Sequence, residues 1–220
     1  MGRLGIAGGD YVDGLDVGDA MLIPRHGDRG GPYVQPHRID HAANMRRLLE
    51  AGCDRVLALS SVGGLRLELD VGTFLCPDDF IALHVGRSAF DDRRSHRVPG
   101  FDPDWRRRVV EAWRPRPAGA ELRDGGVYWE SIGPRFETPA EIRLIARHAD
   151  VIGMTIASEC VIAGELGLRY AAICIVDNLA NGVGDRELTV EEFRAGRARN
   201  RERLGAALES VLPALSGGAP

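Results

Sequence analysis

The sequence contains no lysine, so all 28 residues counted as Lys+Arg are arginine. Against 32 Asp+Glu, the formal net charge at pH 7 is -4. Proteins that hold DNA or RNA by its phosphates usually carry excess positive charge, so this balance argues against a nucleic-acid partner. The exclusive use of arginine reflects either a compositional bias of the surface or a need for guanidinium geometry, and composition does not separate the two.

Long apolar runs are also missing. None approaches the roughly 18 residues of a membrane-spanning helix, and residues 1–7 lack the charged-then-apolar layout of a secretory signal. We therefore expect a cytoplasmic protein with no membrane partner. The four cysteines, Cys53, Cys76, Cys160 and Cys174, show neither a C-x-x-C pair nor a histidine at ligand spacing. Buried thiols are favoured over a disulfide or a metal site.

What the chain does contain is an alternation of strand and helix patterns. Buried strands are predicted at Leu4–Ala7, Ala20–Ile23, Val56–Leu59, Val127–Trp129, Val151–Ile152 and Tyr170–Val176. Helices are predicted at Ile39–Ala51, Asp104–Trp113, Thr138–His148, Ala157–Gly167 and Thr189–Leu215. The alternation predicts a single three-layer α/β domain over residues 1–220, with a central mixed, largely parallel sheet.

Two local signals add detail to this pattern. Thr138 and Glu141 have the spacing of a capping box at the start of a helix. Residues 27–36 and 87–103 are loops rich in Gly, Pro, Asp and Arg, and we expect them to move or to cover something.

Polar residues follow several of the predicted strands, where ligands gather in such folds. Arg25 and His26 follow the second strand, and an arginine fork suits a phosphate or a carboxylate; a solvated turn is the alternative. Ser60 and Ser61 precede two glycines, a pattern that can present hydroxyl and backbone donors to an anion, or form a plain turn.

Three further positions of this kind lie later in the chain. Glu137 directly precedes a predicted helix, whose positive end favours its ionised form. Thr155 places a hydroxyl after a short strand. Asn178 ends the most apolar strand with a carboxamide that can both donate and accept.

Together these motifs resemble the trimeric purine nucleoside phosphorylases, and most closely the methylthioadenosine and methylthioinosine branch. The matching motifs occur in the family's order from Leu4 to Gly182: P-R-H-G, P-H-R-I, S-V-G-G-L, G-P-R-F-E-T-P-A-E, G-M-T with Glu159 four residues past the threonine, and V-D-N-L-A-N-G. The resemblance implies cleavage of the N-glycosidic bond of a purine nucleoside by inorganic phosphate, giving free base and pentose 1-phosphate. It implies no metal or organic cofactor, and a homotrimer.

The resemblance also assigns roles to single residues. It implies a phosphate site formed by Arg25 as a bidentate fork, His26, Ser60, Ser61 and Thr155. It places Met154 against the sugar and Phe136 against the purine ring. Glu137 and Asn178, the implied catalytic pair, would read the polar edge of the base, and Arg135 is more consistent with a structural role.

Asn178 and Ala180 bear on the choice of base. The family's 6-oxopurine enzymes pair the glutamate with asparagine, whereas its methylthioadenosine enzymes carry aspartate at both of these positions. Glu137 can accept the N1–H of a 6-oxopurine, whereas the N1 lone pair of adenine would repel it. Inosine, guanosine or 5′-methylthioinosine is therefore favoured, although a one-residue slip would exchange Asn178 for Asp177.

The sequence departs from the family pattern in two places. Asp10 follows the glycine turn where relatives carry Thr or Ser, and a carboxylate beside phosphate is unfavourable. The stretch before Arg25 is shorter than in relatives, so one or two strands are expected to be missing at the N-terminal end. Three alternatives to the 6-oxopurine phosphorylase stay open: a hydrolase that uses water, an adenine-type methylthioadenosine phosphorylase, and a non-catalytic nucleoside-binding relative.

The site for the 5′ end of the sugar is the least defined. The resemblance suggests a histidine from a neighbouring subunit, for which His96 is the nearest candidate, and a surface histidine is the alternative. Leu188, Val190 and Phe193 would form an apolar 5′ pocket or belong to the core.

Overall fold

The computed structural model describes residues 2–9, 12, 14–28, 30–84, 86–114, 121–184 and 190–217, without the side chains of residues 190 and 192–194. This part of the chain forms one nine-stranded sheet flanked by helices. The strands are β1 (Arg3–Gly8), β2 (Met21–Pro24), β3 (Cys53–Gly64), β4 (Phe74–Cys76), β5 (Asp79–Ile81), β6 (Leu122–Asp124), β7 (Val127–Glu130), β8 (Val151–Gly153) and β9 (Arg169–Leu179). The helices are α1 (His41–Glu50), α2 (Pro103–Trp113), α3 (Pro139–Ile145), α4 (Ile156–Glu165) and α5 (Val190–Ser216).

The strands follow the order β5-β7-β8-β3-β9-β4-β6, and β1 lies between β2 and the first half of β3. The pairings β3/β8 and β4/β9 are antiparallel, and the other pairings in the described part are parallel. The predicted mixed, largely parallel sheet is thus confirmed.

Alternating side chains of β3 pack against the helices on the two faces of the sheet. Leu57 and Leu59 pack into the cluster that α2 and α5 complete, whereas Val56 and Ala58 pack into the cluster shared with α1 and α4. Successive residues of a strand point to opposite faces, so one buried strand supplies both cores. Fully burying one such leucine contributes about 1.5–3 kcal/mol relative to leaving it exposed.

The structure extends two of the predicted strands. β3 continues to Gly64 and β9 to Leu179, because their second halves remain paired with each other and β8 pairs with the end of β3. Ser60 and Ser61 therefore lie within β3, and the prediction that they follow a strand end is wrong. Asn178 lies at the end of β9, as predicted.

The sequence patterns missed β4, β5 and β6, which have three residues each. Such segments are too short to show an alternation of their own. The four cysteines are buried as predicted. Within the described residues, no helix combines the length and the apolar character needed to cross a bilayer.

Candidate active site

A cleft of about 230 Å³ opens where β2, β7 and β8 end beside the second halves of β3 and β9. Its wall includes the predicted site residues Arg25, His26, Ser60, Ser61, Phe136, Glu137, Met154, Thr155, Asn178 and Ala180. It also includes Gly9, Tyr33, Gln35, Pro36, Val62, Gly63, Ser131, Pro134, Ile152, Gly153, Asn181 and Arg197. Segments distant in sequence thus converge on one cleft.

His96 does not belong to this wall in the described part of the chain. It is exposed and follows the 3-10 turn Arg93–Ser95. Its predicted place in a neighbouring subunit's cleft stays a prediction. Outside the described residues lie Asp10 and Leu188, together with the side chains of Val190 and Phe193.

Arg25 is buried, lines the cleft and forms an ion pair with Glu159. Its Nε donates to Glu159 Oε1 at 2.6 Å and its Nη2 to Glu159 Oε2 at 2.8 Å. Nη1 donates to the carbonyl of Leu59 and Nη2 also to that of Ala7. These bonds occupy four of the five N–H groups of a guanidinium. The predicted bidentate fork on phosphate is therefore wrong, because Nε and Nη2 already donate to Glu159. One Nη1 hydrogen remains beyond these four bonds.

The Arg25–Glu159 pair is ionised. Burial would raise the pKa of Glu159, but the charge and hydrogen bonds of Arg25 outweigh it and hold this pKa far below its usual range. Burial would likewise lower the pKa of Arg25, and Glu159 raises it. Tyr170 Oη donates to Glu159 at 2.7 Å. Glu159 thus fixes the guanidinium and cancels much of its charge toward the cleft.

His26 is oriented by its surroundings. Its Nδ1 lies 2.8 Å from the carbonyl oxygen of Val34, and since a carbonyl only accepts, Nδ1 carries the hydrogen. The ring stacks on Tyr33, with 4.9 Å between centroids and 12° between planes. Both contacts come from the loop 27–36, so this loop covers one side of the cleft as the sequence suggested.

Thr155 stands at the N-cap of α4. Its side chain is buried and makes no capping bond, whereas its backbone N–H and that of Ile156 donate to Tyr128 Oη at 3.2 and 3.4 Å. A Cβ on Gly153 would lie 2.5 Å from Tyr128 Oη. Glycine at this position therefore lets the strand pass close to the phenol that fixes the Thr155 turn.

Glu130 occupies the remaining donors at the start of α4. Its carboxylate accepts from the backbone N–H of Ala157 at 2.6 Å and from the backbone N–H and hydroxyl of Ser158. Burial raises the pKa of Glu130, against these hydrogen bonds. The positive end of α4 is thus partly screened from the cleft by a protein carboxylate.

The residues predicted to read the purine also belong to the cleft wall. Phe136 is 51% exposed and lines the cleft. Ser131 Oγ donates to Glu137 Oε1, so the second carboxylate oxygen can accept from a ligand. Asn178 Nδ2 donates to the carbonyl of Leu179 at 2.8 Å, which uses one of its two hydrogens.

A β-bulge at Asp177 gives Asp177 and Asn178 different positions relative to β3. Val62 pairs with Val176 and Gly63 with Asn178, so Asp177 is an extra residue in the strand. Asp177 is 2% exposed, whereas Asn178 is part of the cleft wall. The assignment of the cleft position to Asn178 rather than Asp177 therefore matches the geometry.

Three buried carboxylates shape this site, and the sequence did not predict that any of them holds another side chain in place. They are Glu130, Glu159 and Asp177. Each stands in an otherwise apolar segment, and a charge in such a segment needs a partner when it is buried. That signal could have identified them as site-forming residues, although not their partners. Arg135, by contrast, forms the expected structural contact, a fork on Glu141 at 2.7 and 2.8 Å.

Comparison with known proteins agrees with this geometry. Residues 3–213 match the family model described as the phosphorylase superfamily. A probable 6-oxopurine nucleoside phosphorylase of Archaeoglobus fulgidus is 40% identical over 201 residues, which cover 91% of this chain and 80% of the relative. A probable S-methyl-5′-thioinosine phosphorylase of Methanosarcina acetivorans is 35% identical over 208 residues, 94% of this chain and 76% of the relative.

The fold has a counterpart among solved structures. A variant of the adenosine/methylthioadenosine phosphorylase of Schistosoma mansoni in complex with methylthioadenosine superposes with a TM-score of 0.81 and 20% identity. The match covers 100% of this chain and 93% of that one. At this identity the likeness establishes the nucleoside phosphorylase-like fold. The family model spans residues 3–213, and the relatives from Archaeoglobus and Methanosarcina are 40% and 35% identical. The chain therefore belongs to the phosphorylase superfamily.

Proposed function

We propose that the protein is a purine nucleoside phosphorylase that prefers 6-oxopurine nucleosides such as inosine, guanosine or 5′-methylthioinosine. The observation that carries this proposal is a single cleft that is lined both by the residues proposed to bind the anion and by the pair proposed to read the purine. The first group is Thr155, His26 and Arg25, and the second is Glu137 and Asn178. The names of the relatives from Archaeoglobus and Methanosarcina support the same reaction and base class.

The proposed reaction uses these groups by position. Phosphate held beside the anomeric carbon attacks as the N-glycosidic bond breaks, so that the bond electrons pass to the purine. Glu137, steadied by Ser131, accepts the N1–H of the base, and the second Nδ2 hydrogen of Asn178 stabilises the negative charge that develops on N7 or O6. Met154 forms the apolar floor under the sugar. Inorganic phosphate is the co-substrate, with no metal or organic cofactor.

The proposal includes the setting of the enzyme. We place it in the cytoplasm as a homotrimer of one domain per chain, in which His96 of a neighbouring subunit reaches the 5′ end of the nucleoside. Partners other than purine nucleoside, phosphate and further copies of the chain are not part of the proposal.

A nucleoside panel tests this function. Inosine, guanosine, 5′-methylthioinosine, adenosine and methylthioadenosine are incubated with the protein, with and without phosphate, and the free base is measured. We expect base release from the 6-oxopurine nucleosides only when phosphate is present. Equal release without phosphate would indicate a hydrolase, preference for the adenine nucleosides would indicate the adenine-type enzyme, and binding without release would indicate a non-catalytic relative.

A further inference from the structure

A hydroxyl and a buried carboxylate meet in the wall of the cleft. Ser61 Oγ donates its hydrogen to Asp177 Oδ2. Asp177 Oδ1 accepts from Asn200 Nδ2 at 2.7 Å, and the same amide donates to the carbonyl of Val176 at 3.1 Å. Asp177 and Asn200 are each 2% exposed, whereas Ser61 lines the cleft. Asp177 is thus a rigidly held acceptor directly behind Ser61.

This arrangement reverses the role expected for Ser61. A serine hydroxyl has one hydrogen, and here that hydrogen points at Asp177. Toward the cleft Ser61 therefore presents only lone pairs, and a ligand atom that contacts Ser61 Oγ must itself donate. Ser60 gives its hydrogen to the carbonyl of Ser61 at 3.2 Å, so neither serine donates to the cleft in this geometry.

Two buried carboxylates, Asp177 and Glu159, lie close to the cleft. Asp177 lies one hydroxyl away from the cleft, and the guanidinium of Arg25 is opposed by Glu159, which is fully buried. An oxyanion without a hydrogen would face the lone pairs of Ser61 Oγ, and repulsion between two acceptors is weakly screened inside a protein. An oxyanion with a hydroxyl can place its hydrogen between the two oxygens.

We propose that Ser61 and Asp177 select a protonated oxyanion, so that phosphate binds with one P–O–H donating to Ser61 Oγ. At neutral pH both the monoanion and the dianion of phosphate carry a hydroxyl, whereas sulfate carries none. The pair therefore distinguishes phosphate from sulfate, two ions of nearly equal size and shape. This inference rests on the proposed function, since phosphate is the co-substrate there, and it deepens that function.

The first test compares anions on the unmodified protein at pH 7 and constant ionic strength. Inhibition by sulfate is measured against the KM for phosphate, and arsenate, which also carries a hydroxyl, is supplied as an alternative co-substrate. We expect sulfate to bind at least about tenfold more weakly than phosphate, as for loss of one hydrogen bond to a charged group, and arsenate to replace phosphate. Sulfate inhibition as strong as phosphate binding would overturn the proposal.

The second test uses Asp177→Asn to reverse the direction of the hydrogen bond between Ser61 and residue 177. Asn200 must keep an acceptor for its Nδ2, so the new carboxamide turns its oxygen toward Asn200 and its Nδ2 toward Ser61. Ser61 then accepts from residue 177 and donates into the cleft. We expect the affinity for sulfate, relative to that for phosphate, to rise about tenfold. Asp92→Asn, at an exposed carboxylate, is the matched control and should leave the ratio unchanged.

A double-variant cycle shows whether the effect passes through Ser61. Ser61→Ala removes the acceptor, so discrimination should fall, and Asp177→Asn in that background should add no further gain for sulfate. A gain that persists without Ser61, or an unchanged ratio in Asp177→Asn, would contradict the proposal. The unmodified protein and Ser61→Ala decide the outcome even if Asp177→Asn does not fold.

Calorimetric titration separates this inference from the proposed function. Phosphate and sulfate are titrated into the protein without nucleoside, which measures anion selectivity in the absence of turnover. Selective phosphate binding without base release would refute phosphorolysis and retain the Ser61–Asp177 inference. Base release that depends on phosphate, with no selectivity against sulfate, would retain phosphorolysis and refute the Ser61–Asp177 inference.

Discussion

At the residue scale, the site depends on buried charges that compensate one another. Arg25 and Glu159 are almost fully buried and hold each other by two hydrogen bonds. Such a pair is costly to break because the remaining charge stays buried without a partner. The pair therefore explains how one arginine can be rigid at the cleft without a large positive charge there.

Glu159→Gln tests this pair through stability. We expect unfolding free energy at pH 7 to fall by about 3 kcal/mol, the lower range for breaking a buried ion pair. The native pKa of Glu159 lies below its ordinary value of 4.5, so its ionised form stabilises the fold above about pH 4.5. That contribution is lost as the pH falls further, by at most about 1.4 kcal/mol per pH unit for one proton.

The measurement is urea unfolding of both proteins between pH 7 and pH 3. The difference in unfolding free energy between the two proteins should be largest at pH 7. It should shrink below about pH 4.5, which is the pKa of this glutamate in the unfolded chain. A difference independent of pH would show that the carboxylate's charge is not what stabilises Arg25.

Asn178→Asp tests the reading of the base. A carboxylate at this position loses the Nδ2 donor and can accept from the amino group of adenine instead. We expect the ratio of kcat/KM for inosine to that for adenosine to fall by about tenfold or more, because unpaired polar groups in a site discriminate strongly. Unchanged selectivity in a folded variant would remove Asn178 from the base site.

At the scale of the elements, helix α3 holds Glu137 at the cleft. Thr138 accepts from the Glu141 backbone N–H at 3.3 Å, and the Glu141 carboxylate accepts from the Thr138 backbone N–H at 2.7 Å. This is the capping box predicted from sequence, and it begins one residue after Glu137. The cap therefore determines where the chain carrying the base reader enters the helix.

Thr138→Ala tests the cap. We expect a loss of about 1 kcal/mol in unfolding free energy, and a higher KM for nucleoside with little change in the KM for phosphate, because Glu137 is a proposed contact of the base and not of phosphate. Thr138→Ser, which keeps the cap hydroxyl, is the control and should behave like the parent protein. An equal rise in both KM values would mean that α3 does not act on the base contact alone.

At the scale of the whole molecule, the proposed trimer can be tested through His96. Light scattering should give about three times the chain mass of 23.9 kDa. His96→Ala should then raise the KM for nucleoside without changing this mass or the stability, since His96 is exposed in the single chain. A KM equal to that of the parent protein would show that His96 does not reach a neighbouring cleft.

Sequence alone predicted most of the fold, because long buried strands such as β3 and β9 and the capped helix α3 carry strong local patterns. It also predicted ten of the residues that line the cleft, although not His96, which lies outside its wall. It did not predict what they bond to: Arg25 and Ser61 were expected to donate to phosphate, yet their hydrogens are given largely to Glu159 and Asp177. Such partners lie more than 100 positions away in sequence, and only the folded chain brings them together.

The most direct measurement follows both products of one reaction. Inosine or 5′-methylthioinosine is supplied with phosphate, and hypoxanthine is quantified by absorbance while the pentose 1-phosphate is quantified by phosphorus NMR. Phosphorolysis by this cleft predicts one pentose 1-phosphate for every hypoxanthine, and no base without phosphate. Hypoxanthine released together with free pentose, at a rate independent of phosphate, would contradict it.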